Sequence, residues 1–305
     1  MSNTPSPLGP DTDLWLRLWT WYHRGDTIPT PAPVPEFSSN PWPVRADREA
    51  DSAPVPEGLV GPWTRSTGRS SQSTVYHSPL HVLRVARSPD SHHLIDVEAL
   101  ALGALSDDLI PRLVAAGAGW VLRLGLPGDR PTTAGPWLEE MAAFALRLRY
   151  QDLPFLSPAP YPELLAAAEF TSTPLPTYPP TTLDSKLLPS HGDLHTGNLL
   201  VNDTNDLAAV LDFERLALAP PERDVALWLT VLSGQAGLDA TRRATTILCP
   251  NGVDADALSS EILRLLEYMC RSALSHQSES RHRTARYLVE TFLAEPTIAS
   301  RLLAL

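Results

Sequence analysis

Three oxygen-bearing side chains stand at spacings that suit phosphoryl transfer: Asp193, Asn198 and Asp212. They lie in Ser190-His191-Gly192-Asp193-Leu194-His195-Thr196-Gly197-Asn198-Leu199-Leu200-Val201, continued by Leu207 to Leu211 and then Asp212-Phe213-Glu214. Two short apolar runs around the turn-forming Asp203, Asn205 and Asp206 predict a β-hairpin, which would carry Asp212 back beside Asn198. One carboxylate can then orient an attacking hydroxyl and accept its proton. A second carboxylate and an amide oxygen can hold Mg2+ against a triphosphate, since that ion prefers hard oxygen ligands.

The same residue types serve other chemistries less well. His191 and His195 have the i, i+4 spacing of a zinc pair, but such a pair needs a helix and a third ligand, and Gly192 and Gly197 oppose the helix. The stretch Asp203-Thr204-Asn205-Asp206 lacks the glycine and the closing glutamate of a calcium loop. Ser190 beside His191 stands outside any Gly-x-Ser-x-Gly elbow, which removes the main support for a hydrolase.

Elements on either side must position these groups. Ser73 to His77 and Leu80 to Ala86 alternate as strands do, Leu94 to Leu105 has helical spacing, and Leu109 to Ala115 and Trp120 to Leu124 read as further strands. After the break at Pro127-Gly128 the pattern turns helical, over Trp137 to Tyr150, Tyr161 to Phe170, Glu222 to Leu232, Ala255 to His276 and Ser280 to Ala294. Glu222, Glu261 and Glu267 read as solvated faces of these helices, although a cationic ligand could also use them. The chain opens with an aromatic helical stripe over Asp11 to Arg24, read as packing surface, and a proline-studded connector from Ile28 to Pro62. The expected class is α+β: an extension over 1–58, a small, mostly β lobe over 59–126 and a larger, mostly helical lobe over 127–305.

His-Gly-Asp-Leu-His-x-Gly-Asn at 191–198, with Leu-Asp-Phe-Glu at 211–214 and Arg-Asp-Val-Ala at 223–226, resembles the aminoglycoside phosphotransferase and choline kinase family, whose fold is protein-kinase-like. The resemblance runs from about Leu59 to Val289. It implies Asp193 as catalytic base, Asn198 and Asp212 as magnesium ligands, His191 as a shaper of the catalytic loop and Asp224 as its brace. Gly68 would belong to the loop that covers the phosphates, and backbone near Arg123, Leu124 and Gly125 would meet the adenine. The family's nucleotide-binding lysine would here be Arg84, paired with Glu98. This is a departure, because Lys186 is the sole lysine of the chain. Arginine keeps the charge but replaces a point donor by a longer planar fork.

The resemblance implies ATP or GTP with Mg2+ as cofactors and a small molecule bearing a hydroxyl as acceptor: an aminoglycoside, amino alcohol, amino acid, sugar or nucleoside analogue. Eleven residues separate Asp212 from Asp224, too few for the platform on which a protein kinase docks a peptide. A non-catalytic kinase-like binding module is the rival, prompted by Arg84 and the thin glycine loop. The net charge of −11 argues against nucleic acid as partner, because nucleic-acid binders present a basic face. No apolar run approaches the ~20 residues that span a bilayer, and the first ten residues lack a secretion signal. Two distant cysteines suggest neither a disulfide framework nor a zinc site, so a reducing cytoplasm is expected; the expected assembly is a monomer or homodimer.

Overall fold

Alternation of side chains in the first half of the chain builds a five-stranded antiparallel sheet. In this computed structural model its strands are β1 (Thr64–Arg65), β2 (Ser73–His77), β3 (His81–Ala86), β4 (Leu113–Gly117) and β5 (Trp120–Leu124), in the order β1-β2-β3-β5-β4. The residues described are 54–59, 61–66, 73–171, 175, 187–276, 282, 285–286 and 289–290. The expected helix at Asp11 to Arg24, nearly all of the proline connector, Gly68, Lys186 and most of Ser280 to Ala294 lie outside them.

The two faces of the sheet differ. Leu83, Val85 and Leu122 form an apolar cluster that Tyr76, Trp63 and Trp120 extend. The alternate residues Val82, Arg84, Val121 and Arg123 project from the opposite face, and all four are buried. Helix α1 (His92–Ala104) buries Ile95, Glu98, Ala101 and Leu102, the i, i+3, i+6, i+7 stripe of one helical face. Glu98 is the charged member of that stripe. The β4–β5 turn needs Gly119, whose φ is +71° and where a Cβ would come within 2.6 Å of the His92 ring.

Below the sheet in sequence, α2 (Trp137–Leu148) buries Trp137, Met141, Phe144 and Leu148. The hairpin is β7 (Leu199–Val201) with β8 (Leu207–Val210), while β6 (Leu188–Ser190) pairs with β9 (Ala217–Ala219). Helix α2 fastens the hairpin through Glu140, which accepts the amide of Leu207 at 2.5 Å, and through Phe144, which meets the edge of Phe213 at 6.3 Å. Asn202 closes the hairpin turn by accepting from the amides of Thr204 and Asp206 at 3.0 and 2.9 Å. Asn205 there takes φ +65°, which asparagine tolerates. It is a turn built on its own side chains.

The remaining elements are helices: α3 (Leu165–Ala168), α4 (Glu222–Ala236), α5 (Leu238–Leu248) and α6 (Ala255–His276). Val225, Trp228, Leu229 and Leu232 of α4 and Leu258, Ile262, Leu266 and Met269 of α6 are buried in their core. The described residues fall into two compact units: the sheet unit, reaching Pro158 and including Leu188–Leu218, and the helical unit, Ala159–Leu187 with the chain from Ala219 onward.

The acidic residues of the helical unit correct the expectation of solvated faces. Glu222, Glu261 and Glu267 are 3%, 1% and 0% exposed. Each carboxylate holds a structural partner: Glu222 accepts the amide of Asp254 at 2.9 Å, Glu261 the hydroxyl of Tyr161 at 2.8 Å, and Glu267 the amides of Ala166 and Ala167 at 3.1 and 2.8 Å. Glu267 thereby satisfies two of the orphan N–H groups at the start of α3. The helix expected over Tyr161 to Phe170 shrinks to that single turn, because Leu164, at ψ 49°, stands outside helical geometry.

Candidate active site

The loop from Ser190 to Asn198 folds around its histidines. Gly192 takes φ +74°, the left-handed turn that lets the chain reverse after His191. The His191 ring is fully buried, tilted against Phe213 with centroids 4.9 Å apart. Its Nδ1 accepts the amide of Asp193 at 3.3 Å, which assigns the proton to Nε2, and Nε2 donates to the carbonyl of Leu211 at 3.1 Å. One imidazole thus ties the backbone of Asp193 to the residue preceding Asp212. His195 stabilises the next turn, with Nδ1 accepting from the amide of Gly197 at 2.9 Å and Nε2 3.8 Å from Asp193 Oδ1.

Asn198 completes the loop. Its Nδ2 donates to the backbone carbonyl of Asp193 at 2.9 Å and to Asp193 Oδ2 at 3.2 Å, and its backbone carbonyl accepts the amide of Leu211 at 2.8 Å. The sequence-expected trio is therefore brought together: Asn198 touches Asp193 on one side and the strand end carrying Asp212 on the other. Asp212 itself takes φ 67°, ψ 67°, a left-handed conformation uncommon outside glycine and frequent at functional sites.

Arg84 reaches this constellation from β3. Its Nη1 donates to Glu98 Oε2 at 2.5 Å and to Asp212 Oδ1 at 2.6 Å, its Nη2 to Glu214 Oε2 at 2.5 Å and Ser73 Oγ at 3.2 Å, and its Nε to Ser73 Oγ at 3.3 Å. All five guanidinium hydrogens have an acceptor. The expected Arg84–Glu98 pairing is present in the geometry, and Glu214 is a partner that sequence reading passed over although it stood in the quoted motif.

A family model described as a phosphotransferase enzyme family matches residues 68–247. The chain belongs to that family. Solved structures give the same fold: the GDP and kanamycin complex of APH(2")-IIIa aligns over 75% of this chain and 92% of its own, at 16% identity and TM-score 0.57. The complex of spectinomycin phosphotransferase with ADP and spectinomycin aligns over 79% and 93%, at 13% identity and TM-score 0.52. Among curated proteins no sequence matches significantly. The fold of this chain is thus the protein-kinase-like α+β fold that the motif over 191–214 implied.

Charge in this cluster is unevenly shared. One arginine faces three carboxylates in a buried space. Burial raises the Glu214 carboxyl to about 7, with Asp212 beside it adding to the rise and Arg84 opposing it. Burial likewise lifts Glu98 above its ordinary value against the pull of Arg84. Burial would lift Asp212 too, but the charge and hydrogen bond of Arg84, helped by His191 and Arg215, hold it below the usual range. Asp212 is the member of the cluster whose carboxyl is held down rather than pushed up.

The other expected positions are placed as follows. Arg123 is buried near the end of β5, and the amides of Leu124 and Gly125 already donate to the carbonyls of Arg112 and Leu80 at 2.9 and 2.8 Å. Asp224 is buried in the first turn of α4, within the helical unit. Gly68 lies outside the described residues.

A magnesium ion fits the donors present. The Asn198 amide nitrogen is taken by Asp193, which turns its oxygen toward other ligands, and Asp212 keeps an ionised carboxylate with Oδ1 on Arg84. No group of three His, Cys, Asp or Glu among the described residues could hold a metal unaided.

Proposed function

We propose that this chain transfers the γ-phosphate of ATP or GTP, with Mg2+, to a hydroxyl of a small molecule. The observation that carries the reading is the tie made by His191 and Asn198, which gathers a base, an amide oxygen and an ionised carboxylate beside a buried arginine. Asp193 is the base, Asn198 and Asp212 hold the metal, Arg84 braced by Glu98 faces the phosphates, and Asp224 supports the loop. Bound there, the metal neutralises charge on the phosphates. Asp193 orients the acceptor hydroxyl and takes its proton, His191 fixes the backbone on which Asp193 and Asp212 sit, and Arg84 holds Asp212 ionised.

The acceptor is a hydroxyl-bearing small molecule such as an aminoglycoside, amino alcohol, amino acid, sugar or nucleoside analogue, and kanamycin and spectinomycin in the solved relatives belong to that range. Those relatives hold GDP in one case and ADP in the other, so either purine is compatible with the fold. Buried Cys249 and Cys270 suit a reducing cytoplasm, and no helix among the described residues is long and apolar enough to cross a membrane. We place nucleic acid outside its partners, on the strength of the net charge of −11.

The complete engagement of Arg84 favours a second reading, a nucleotide-binding module without turnover. An acceptor panel with Mg-ATP and Mg-GTP separates the two. The Asp193→Asn variant is expected to lose at least ~100-fold in turnover while its nucleotide affinity stays within about threefold of wild type. Unchanged turnover in that variant would remove Asp193 from the role of base.

A further inference from the structure

Strand β5 carries an arginine that the phosphate chemistry does not use. Arg123 is 8% exposed, and its Nε has no hydrogen-bond partner among the described residues. The register fixes where it points: Arg84 pairs with Val121 and Val82 pairs with Arg123. Paired residues share a face and residues two apart on a strand share one too, so Arg123 projects from the same face as Arg84, roughly 7 Å farther along the sheet. Buried Val82 and Val121 lie between the two arginines. Burial lowers the basicity of Arg123, while Glu98 and Asp212 raise it and Arg84 lowers it further, which places the guanidinium within the field of the same cluster.

A buried guanidinium with an unmet donor calls for an acceptor, because an unpaired buried donor is costly and a charged one more so. The N–H groups of neighbouring Leu124 and Gly125 are themselves donors and are already engaged with the carbonyls of Arg112 and Leu80. Among the described residues none supplies that acceptor, and a ligand on this face could.

We propose that Arg123 reads the base of the bound nucleotide and selects guanine over adenine. This rests on the nucleotide reading above, with the phosphates at Arg84 and the base farther along the same face. Guanine presents two acceptors, O6 and N7, on one edge, whereas adenine places an amino donor beside N7. The arginine fork therefore meets two acceptors in guanine, and an acceptor with an opposed donor in adenine. The contact is charge-assisted and bidentate, the kind that discriminates most strongly.

The test is isothermal calorimetry on the full chain in Mg2+ with GDP, IDP and ADP. GDP is expected to bind more tightly than ADP by roughly 5- to 150-fold. IDP, which keeps O6 and N7 but lacks the 2-amino group, is expected to follow GDP. Arg123→Met is expected to bring the GDP/ADP ratio to about one. Equal affinity of the wild-type chain for GDP and ADP, a preference that survives Arg123→Met, or IDP falling to the level of ADP would each overturn the assignment while leaving the nucleotide reading intact. Binding of no nucleotide by the folded chain would remove both. If Arg123→Met does not fold, the IDP and ADP affinities of the wild type decide alone.

Discussion

Arg84 shows how reach and hydrogen count, beyond charge, decide what a residue can do. Its Nη1 meets Glu98 and Asp212 while its Nη2 meets Glu214. A lysine there would bring the same charge on one nitrogen and could not span both glutamates. Arg84→Lys is therefore expected to lose about 1–3 kcal/mol of stability, and Glu214→Gln in the same chain to recover part of it, since a buried carboxylate without its partner is worse than a neutral amide. A double-mutant cycle in thermal unfolding reads this coupling, and additive effects would deny that the two residues act together. Glu214 also predicts a pH dependence. Its folded value of about 7 lies above that of a free glutamate, so the native state holds the proton that the unfolded state has released. The contribution is complete below the unfolded value near ~4.3 and is lost as pH rises toward 7. Thermal melting should show stability falling across that window in the wild type, and falling less in Glu214→Gln. The trio and the Arg84–Glu98 pair were legible because spacing and motif order carry them. Glu214 was not, because no sequence shows which hydrogens of an arginine remain to be satisfied, and His195 was weighed only as a metal ligand although it holds the loop turn.

At the scale of elements, legibility followed the strength of the periodic signal. Ser73–His77, Trp120–Leu124 and Ala255–His276 stand where their patterns put them. β4 begins at Leu113 rather than Leu109, because Asp107 caps a turn through the amide of Leu109 at 3.0 Å and Pro111 lacks an amide to give a ladder. Helix α5 escaped notice since its buried residues Ala240, Ala244 and Leu248 recur only every fourth position among threonines and arginines. α3 is held by a side chain a hundred residues away, which local pattern cannot reveal. Glu267→Ala should strip acceptors from two buried amides and cost about 2 kcal/mol or more, while Glu267→Gln, retaining one oxygen, should cost less. Chemical denaturation midpoints with unchanged slope would measure it, and equal losses in the two variants would show that packing, not hydrogen bonding, sets the effect.

For the whole molecule, every described group assigned to nucleotide and metal falls in the sheet unit, even though the hairpin that carries Asn198 and Asp212 follows Pro158 in sequence by some thirty residues. Saturation with Mg-nucleotide at 100 times its Kd should stabilise the binding-competent unit by about 2.7 kcal/mol, a rise in melting temperature of several degrees. Hydrogen exchange should slow first in β3, β5 and the loop from His191 to Asp212. Protection confined to α5 and α6 would contradict the assignment of the nucleotide to the sheet. One consequence reaches beyond this chain's own chemistry. Probes that tag nucleotide sites across a proteome do so by acylating a primary amine beside the phosphates, and at β3 this chain offers a guanidinium caged by carboxylates instead. A survey based on such reagents would find no amine to acylate at this strand position, whatever nucleotide the cleft holds.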